Sequence, residues 1–226
     1  MSRYIADYIL GEPHCEKETI VNTKQNFIEK RDFLNIELNK QGYKTITIVM
    51  MNPSKADSRQ SDNTINKLIE FFISHSIHSV DNGLKTIKDI KYLQILNLLP
   101  IYNPNSRAIY SDINTIIAEI GTEKLFSVLE SNQKKIKEVL QDSHYIVIAW
   151  GMPENFSLPL YFEQAAMVLR TLEASGKNVY VFKMKSLKGS EYYLTKHLNP
   201  PHPSKGIILS LVRVDVNSHY RIIPRL

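Results

Sequence analysis

One cysteine stands in 226 residues. Cys15 alone excludes an internal disulfide framework and any cluster held by four cysteines of the same chain. Glycine is scarce too: eight residues, none clustered after an apolar run, so no Gly-rich loop is available to cradle a nucleotide phosphate. No apolar stretch approaches the roughly 20 residues of a membrane-spanning helix. The amino-terminal "MSRYIADYIL" has an acid in its short apolar run and no cleavage-site pattern, so no signal peptide is expected and the expected location is cytoplasmic. A Gly-x-Ser-x-Gly elbow and a recognisable Ser/His/Asp order are both missing. His14 beside Cys15 has no further ligands at zinc-like spacing, so neither a metal nor another cofactor is expected. Internal repeats and Gly/Ser linkers are absent as well. Residues 1–226 therefore read as a single domain, expected to be a monomer with no obligate protein partner.

What is present is an ordinary globular composition, 43% hydrophobic and 23% charged, with a net charge of +5. The excess is local. Residues 177–226 hold nine Lys and Arg against two acids, Glu191 and Asp215, while the rest of the chain holds 19 basic and 21 acidic residues. Such asymmetry favours a polyanionic partner, with a solubilising face as the alternative.

Four apolar runs, 45–51, 91–100, 144–151 and 178–184, read as buried strands. Between them, 61–78, 111–120, 122–140 and 155–176 show helical spacing, with Ser61 or Asp62 able to cap the first and Gly176 closing the last. The alternation predicts an α/β fold: three layers, α/β/α, around a central, mainly parallel four-stranded sheet. Residues 3–10 and 207–216 look like extra terminal strands or an attached hairpin. In open α/β sheets ligands bind beyond the carboxyl ends of the strands, which singles out the loops 52–62, 97–107, 151–155 and 186–206.

Those loops carry "MMNPS", "LQILN", "IVIAWG" and "PPHPSKG", in that order. The set resembles the uracil-DNA glycosylase superfamily, with a first motif similar to its thymine/mismatch branch. That motif is also similar to an uncharacterised bacterial and phage family bearing Asn-Pro-Ser-x-Ala-Asp. The resemblance covers about residues 45–208 and implies a monofunctional DNA glycosylase with a glycosylase-like fold. By the same resemblance, Asn52 positions the attacking water, Asn97 reads the edge of a flipped pyrimidine, and His202 stabilises charge on the departing base. Ser204 holds a DNA phosphate, with Lys205, Lys185 and Lys188 beside it. Met51, Ser54, Trp150 and Gly151 border the base. Met50-Met51 replaces the family's Gly-Gln or Gly-Ile, and Lys205-Gly206-Ile207 replaces its apolar wedge.

The chemistry is consistent with these residue types. Breaking an N-glycosidic bond needs oriented donors at the leaving base and a positioned water. An amide cannot accept the water's proton, so Asp57 or Asp62 is the candidate carboxylate; a turn and a helix cap are the structural alternatives. Ser54 stands where the uracil-specific branch has a tyrosine that excludes a C5 methyl. A pyrimidine with an enlarged C5 substituent is therefore expected over plain uracil, a hypermodified base of phage DNA being one such, with a role in antiviral defence. The base must be flipped out of the duplex to be reached. Two other readings stand beside this one: a hydrolase or transferase of free nucleosides or nucleotides, and a non-catalytic nucleic-acid binder.

Overall fold

The computed structural model describes residues 2–74, 77–80, 85–103, 105, 108–152 and 158–225. Its framework is one mixed sheet. The strands are β1 (His14–Asn22), β2 (Phe27–Glu37), β3 (Lys44–Met50), β4 (Ile77–Val80), β5 (Lys85–Ile87), β6 (Ile90–Asn97), β7 (Tyr145–Ile148), β8 (Val179–Lys185), β9 (Glu191–Tyr192), β10 (Ile207–Val216) and β11 (Ile222–Pro224). Nine follow one path, β1-β2-β6-β3-β7-β8-β10-β4-β5, while β9 pairs with β8 and β11 with β10 off that path.

This corrects the expected three-layer domain on a central, mainly parallel four-stranded sheet. Strands β6, β3, β7 and β8 run parallel to one another. They are only the inner part of a larger sheet, whose β1–β2, β2–β6, β8–β10 and β4–β5 pairings are antiparallel. The reason lies first in residues 14–37, whose many charges mask a half-buried pattern: Ile28, Phe33, Leu34 and Ile36 are buried, whereas Phe27 is 63% exposed. A short turn joins the two strands, with the Thr23 N–H donating to Asn26 O (2.9 Å) and the Asn26 N–H to Thr23 Oγ1 (3.1 Å). So tight a connection forces antiparallel pairing, and β2 then covers the edge that β6 would otherwise expose. On the other side β10 returns antiparallel on β8. Residues 3–10 form no strand, only a 3-10 turn at Ala6–Tyr8 and an isolated bridge from Ile9 to Leu38.

The helices among the described residues are α1 (Asn63–Ser74), α2 (Ile109–Ile120), α3 (Thr122–Asp142) and α4 (Leu158–Ser175). The helix expected over 61–78 ends at Ser74, and 77–80 belong to β4; residues 75 and 76, and 155–157 of the last expected helix, lie outside the described residues. Side chains alternate across the sheet with the period of two that strands impose. Ile46, Ile48 and Met50 pack with Ile65, Leu68, Ile69 and Phe72 of α1. On the opposite face Val49, Ile146, Ile148 and Val181 pack with Ile113 of α2, Leu129 and Ile136 of α3 and Val168 of α4. Each such buried aliphatic side chain contributes roughly 1.5–3 kcal/mol. This double burial is why the inner strands read as unbroken apolar runs.

Candidate active site at the carboxyl ends of the parallel strands

Strand β3 leads into residues 51–62, where the side chains of Asn52, Ser54, Asp57 and Asp62 are all hydrogen-bonded. The half-buried Asn52 side chain donates through Nδ2 to Pro53 O (3.0 Å) and to Asn103 O (2.8 Å). The second bond, with the Leu98 and Leu99 N–H groups donating to Met50 O and Met51 O (2.9 Å each), fastens the loop after β6 alongside the loop after β3. Asp57 Oδ1 accepts from the Arg59 and Gln60 N–H groups (2.9 and 3.0 Å), the pattern of an Asx turn. Asp62 Oδ1 accepts from Thr64 N (2.7 Å) and Ile65 N (2.9 Å), capping α1, and its Oδ2 accepts from the Ser54 hydroxyl. Both carboxylates thus hold the structural posts that sequence reading weighed against a catalytic role.

The loop before β10 presents His202. Its Nδ1 accepts from the Ser204 N–H (3.2 Å) and lies 2.8 Å from Ser204 Oγ. A backbone N–H can only donate, so Nδ1 bears no proton, and the neutral ring carries its hydrogen on Nε2. Although one edge reaches solvent, protein surrounds the ring; that burial, with Lys205 and Lys67 adding to it and Asp62 opposing it, pushes its pKa down to about 4. The turn is anchored from below, where Lys67 of α1 donates to Pro203 O and Gly206 O (3.0 Å each). Gly151, at φ +70°, makes room for it: a Cβ there would stand 3.0 Å from His202 Cβ. The Gly151 N–H donates to Pro200 O (2.9 Å), and the Tyr161 hydroxyl of α4 fixes Gly151 O (2.6 Å). The described parts of the four loops therefore meet in two joined pairs; residues 104, 106, 107 and 153–155 lie outside the described residues.

Other sequence candidates sit elsewhere. Trp150 (2% exposed) and Met51 (5%), expected beside a base, are buried in the core on the face of α2–α4. Strand alternation turns both away from the α1 face, where His202 and Asp62 stand. Ser204, Lys205, Lys185 and Lys188 are exposed, but the Ser204 hydroxyl serves His202 before any phosphate. Among the described residues no three His, Cys, Asp or Glu side chains gather to hold a metal ion, and no helix is long and apolar enough to cross a membrane.

Asn97, the last residue of β6, is 1% exposed, and its Oδ1 accepts from Arg31 Nη2 (3.0 Å). Arg31 itself, on β2, is equally buried and donates through Nη1 to Ala56 O (2.5 Å). Burial holds its pKa below the ordinary value, with Cys15, Tyr102, Tyr4 and Asp62 partly compensating. Sequence reading missed Arg31, Lys67 and Tyr161. A buried arginine on a charge-rich strand looks like a surface residue, and only the alternation of 27–37 offered a signal. Comparison with curated proteins and with solved structures returns no match. A family profile described as a protein of unknown function, DUF1643, matches residues 31–204, from the buried arginine to the serine that holds the histidine. The chain belongs to that family.

Proposed function

We propose that the protein is a DNA base glycosylase that hydrolyses the N-glycosidic bond of a flipped, C5-substituted pyrimidine. One observation carries the reading: burial keeps His202 neutral and Ser204 fixes its tautomer with Nε2–H as the donor, so a fixed uncharged donor stands where the loop after β7 meets the turn before β10. In this reaction the C1′–N1 bond breaks and its electron pair leaves with the base. His202 Nε2–H donates to the developing anion, an electrostatic stabilisation that needs no proton transfer. Asn52 has committed Nδ2 to two carbonyls, which leaves Oδ1 as the atom to accept a hydrogen from water and aim the water's lone pair at C1′. The water's oxygen bonds to C1′, and its proton passes to solvent or to a carboxylate. Asp62 offsets charge on the sugar, as the acid whose charge bears on His202.

Ser54 is small and tied to Asp62, which leaves space beside C5 of the base. Exposed Lys185, Lys188 and Lys205 supply phosphate contacts. A role in defence against phages with modified DNA follows from that substrate, and a cytoplasmic location goes with it. The experiment is direct: incubate the protein with DNA containing C5-substituted pyrimidines, and measure free base and abasic sites. Release of base with a matching number of abasic sites supports the reading. Release only from free nucleosides would make the protein a nucleoside hydrolase instead.

A further inference from the structure

Resting on that reading, Arg31 has a consequence for which base is taken. The Asn97 amide cannot be turned the other way. Reversed, its NH₂ would face the guanidinium, donor against donor. Its oxygen is therefore committed to Arg31, and its Nδ2 has no partner among the described residues, nor has Arg31 Nε. Both Arg31 bonds run to neutral oxygens. A buried cation with no carboxylate bonded to it among the described residues, beside a buried amide N–H without an acceptor, is a pair of donors awaiting acceptors.

The face matters. Asn97 follows Leu93 and Ile95 at strand period, so its side chain stands on the α1 face with Asp62 and the Lys67-anchored His202 turn. The remaining unpaired oxygen of this network, Asn132 Oδ1, belongs to α3 on the opposite face. On the α1 face the nearby carboxylate atoms, Asp57 Oδ1 and both oxygens of Asp62, are already taken up by backbone N–H groups and Ser54. The end of β6 itself thus presents a wall of donors, Asn97 Nδ2 and Arg31 Nε, while the acceptor Asn52 Oδ1 stands on the neighbouring loop after β3 and Asp57 Oδ2 faces Gln60 Nε2 (3.5 Å).

We propose that Arg31 is a positioning residue that turns the Asn97 amide so that Nδ2 alone faces the base as a donor, and that the site therefore takes a cytosine-type base in preference to a uracil-type base. Cytosine presents N3 and O2, two adjacent acceptors, to such a wall. Uracil and thymine place an N3–H between two carbonyls, and that hydrogen would meet donors and stay unpaired. An unpaired buried polar group is worth a discrimination of roughly tenfold or more.

The test compares 5-hydroxymethylcytosine with 5-hydroxymethyluracil in one DNA sequence, so the C5 substituent is constant and only the edge differs. Wild type is expected to release the cytosine-type base at least roughly tenfold faster. Arg31→Met should collapse that ratio towards one by freeing the amide to turn. Should Arg31→Met fail to fold, Asn97→Asp serves: it gives Arg31 a counter-charge, replaces the donor by an acceptor for N3–H, and should invert the preference. A merely structural Arg31 would alter melting and leave the ratio unmoved. Equal or faster release of the uracil-type base by wild type, or an unchanged ratio in the variants, would overturn this inference and leave the glycosylase reading intact. Release of neither base would remove that reading, and this inference with it.

Discussion

Two polar regions flank the candidate site and behave in opposite ways. In residues 52–62 no buried side-chain nitrogen or oxygen lacks a partner, because the acids cap α1 and close a turn. In the Arg31–Asn97–Asn132 network three atoms do: Arg31 Nε, Asn97 Nδ2 and Asn132 Oδ1. A satisfied segment is built to hold its shape, whereas unpaired buried donors raise the energy of the free protein by roughly 1–3 kcal/mol each. The difference teaches that a motif conspicuous in sequence can be scaffolding. The chemistry is better sought where polar groups are buried and still unpaired, or held in one orientation, as His202 is.

The largest effect expected is on turnover. His202→Ala should lower base release on the order of a hundredfold or more, by removing the neutral donor fixed beside Gly151. Asn52→Ala should do the same while also losing two bonds of about 1 kcal/mol each at Pro53 O and Asn103 O. Single-turnover rates beside melting curves separate the two. Wild-type rates in folded variants would end the assignment.

Asn97→Ala breaks the comparison from the other side. It leaves Arg31 Nη2 without its acceptor, with no carboxylate bonded to the guanidinium among the described residues, so a loss of roughly 2–3 kcal/mol is expected. Asp57→Ala should cost about 1 kcal/mol, since only a turn is loosened. Denaturant midpoints measure both, and equal losses would erase the distinction between the regions.

How far all this is legible in sequence depends on burial. Runs such as 45–51 announce strands because both faces are covered, and the residues after them locate the loops. The β1–β2 hairpin is hidden: Glu, Lys and Arg are interleaved with Ile and Leu on a strand that is partly solvated, so its apolar half is diluted by charge. The mixed character of the sheet follows from that hidden hairpin and from the antiparallel return of β10, whose run 207–216 does read as an extra strand or attached hairpin. Within the site, Asn52, Asn97 and His202 stand out by motif. Arg31 does not, because nothing local tells a buried guanidinium from a surface one. Trp150 and Gly151 were legible only as a pair ending a strand; the ring lies in the core, and a Cβ at Gly151 would stand 3.0 Å from His202 Cβ.

Acid should weaken the fold through His202. Its folded pKa of about 4 lies below the usual value of about 6.5, so between those limits the unfolded chain binds more protons. Stability is then full above about pH 6.5, falls as the pH drops towards 4, and levels off below that. The share traceable to this residue is on the order of 1–3 kcal/mol, reduced because one edge of the ring reaches water. Turnover should show no histidine limb between pH 6 and 8, as the ring is neutral throughout. The difference in melting between wild type and His202→Gln, taken from pH 7 to pH 4.5, reads the effect directly. A constant difference would place the titration elsewhere.

The smallest effect is the most discriminating, because it separates scaffold from charge within one residue. Asp62→Ala removes the oxygen that accepts from Thr64 and Ile65, and should destabilise by about 1 kcal/mol, the usual worth of a helix cap. Asp62→Asn keeps an oxygen in that place, and asparagine caps as well as aspartate, so its melting should stay within about 0.5 kcal/mol of wild type. What it removes is a negative charge that both His202 and Arg31 sense. Without that charge the His202 pKa should fall further, since Asp62 is what opposes the burial there, and proton titration by NMR would show it. If turnover drops in Asp62→Asn while the cap survives, the carboxylate works on the sugar as well as on the helix. If the rate holds, Asp62 is a cap, and the water's proton leaves by solvent alone.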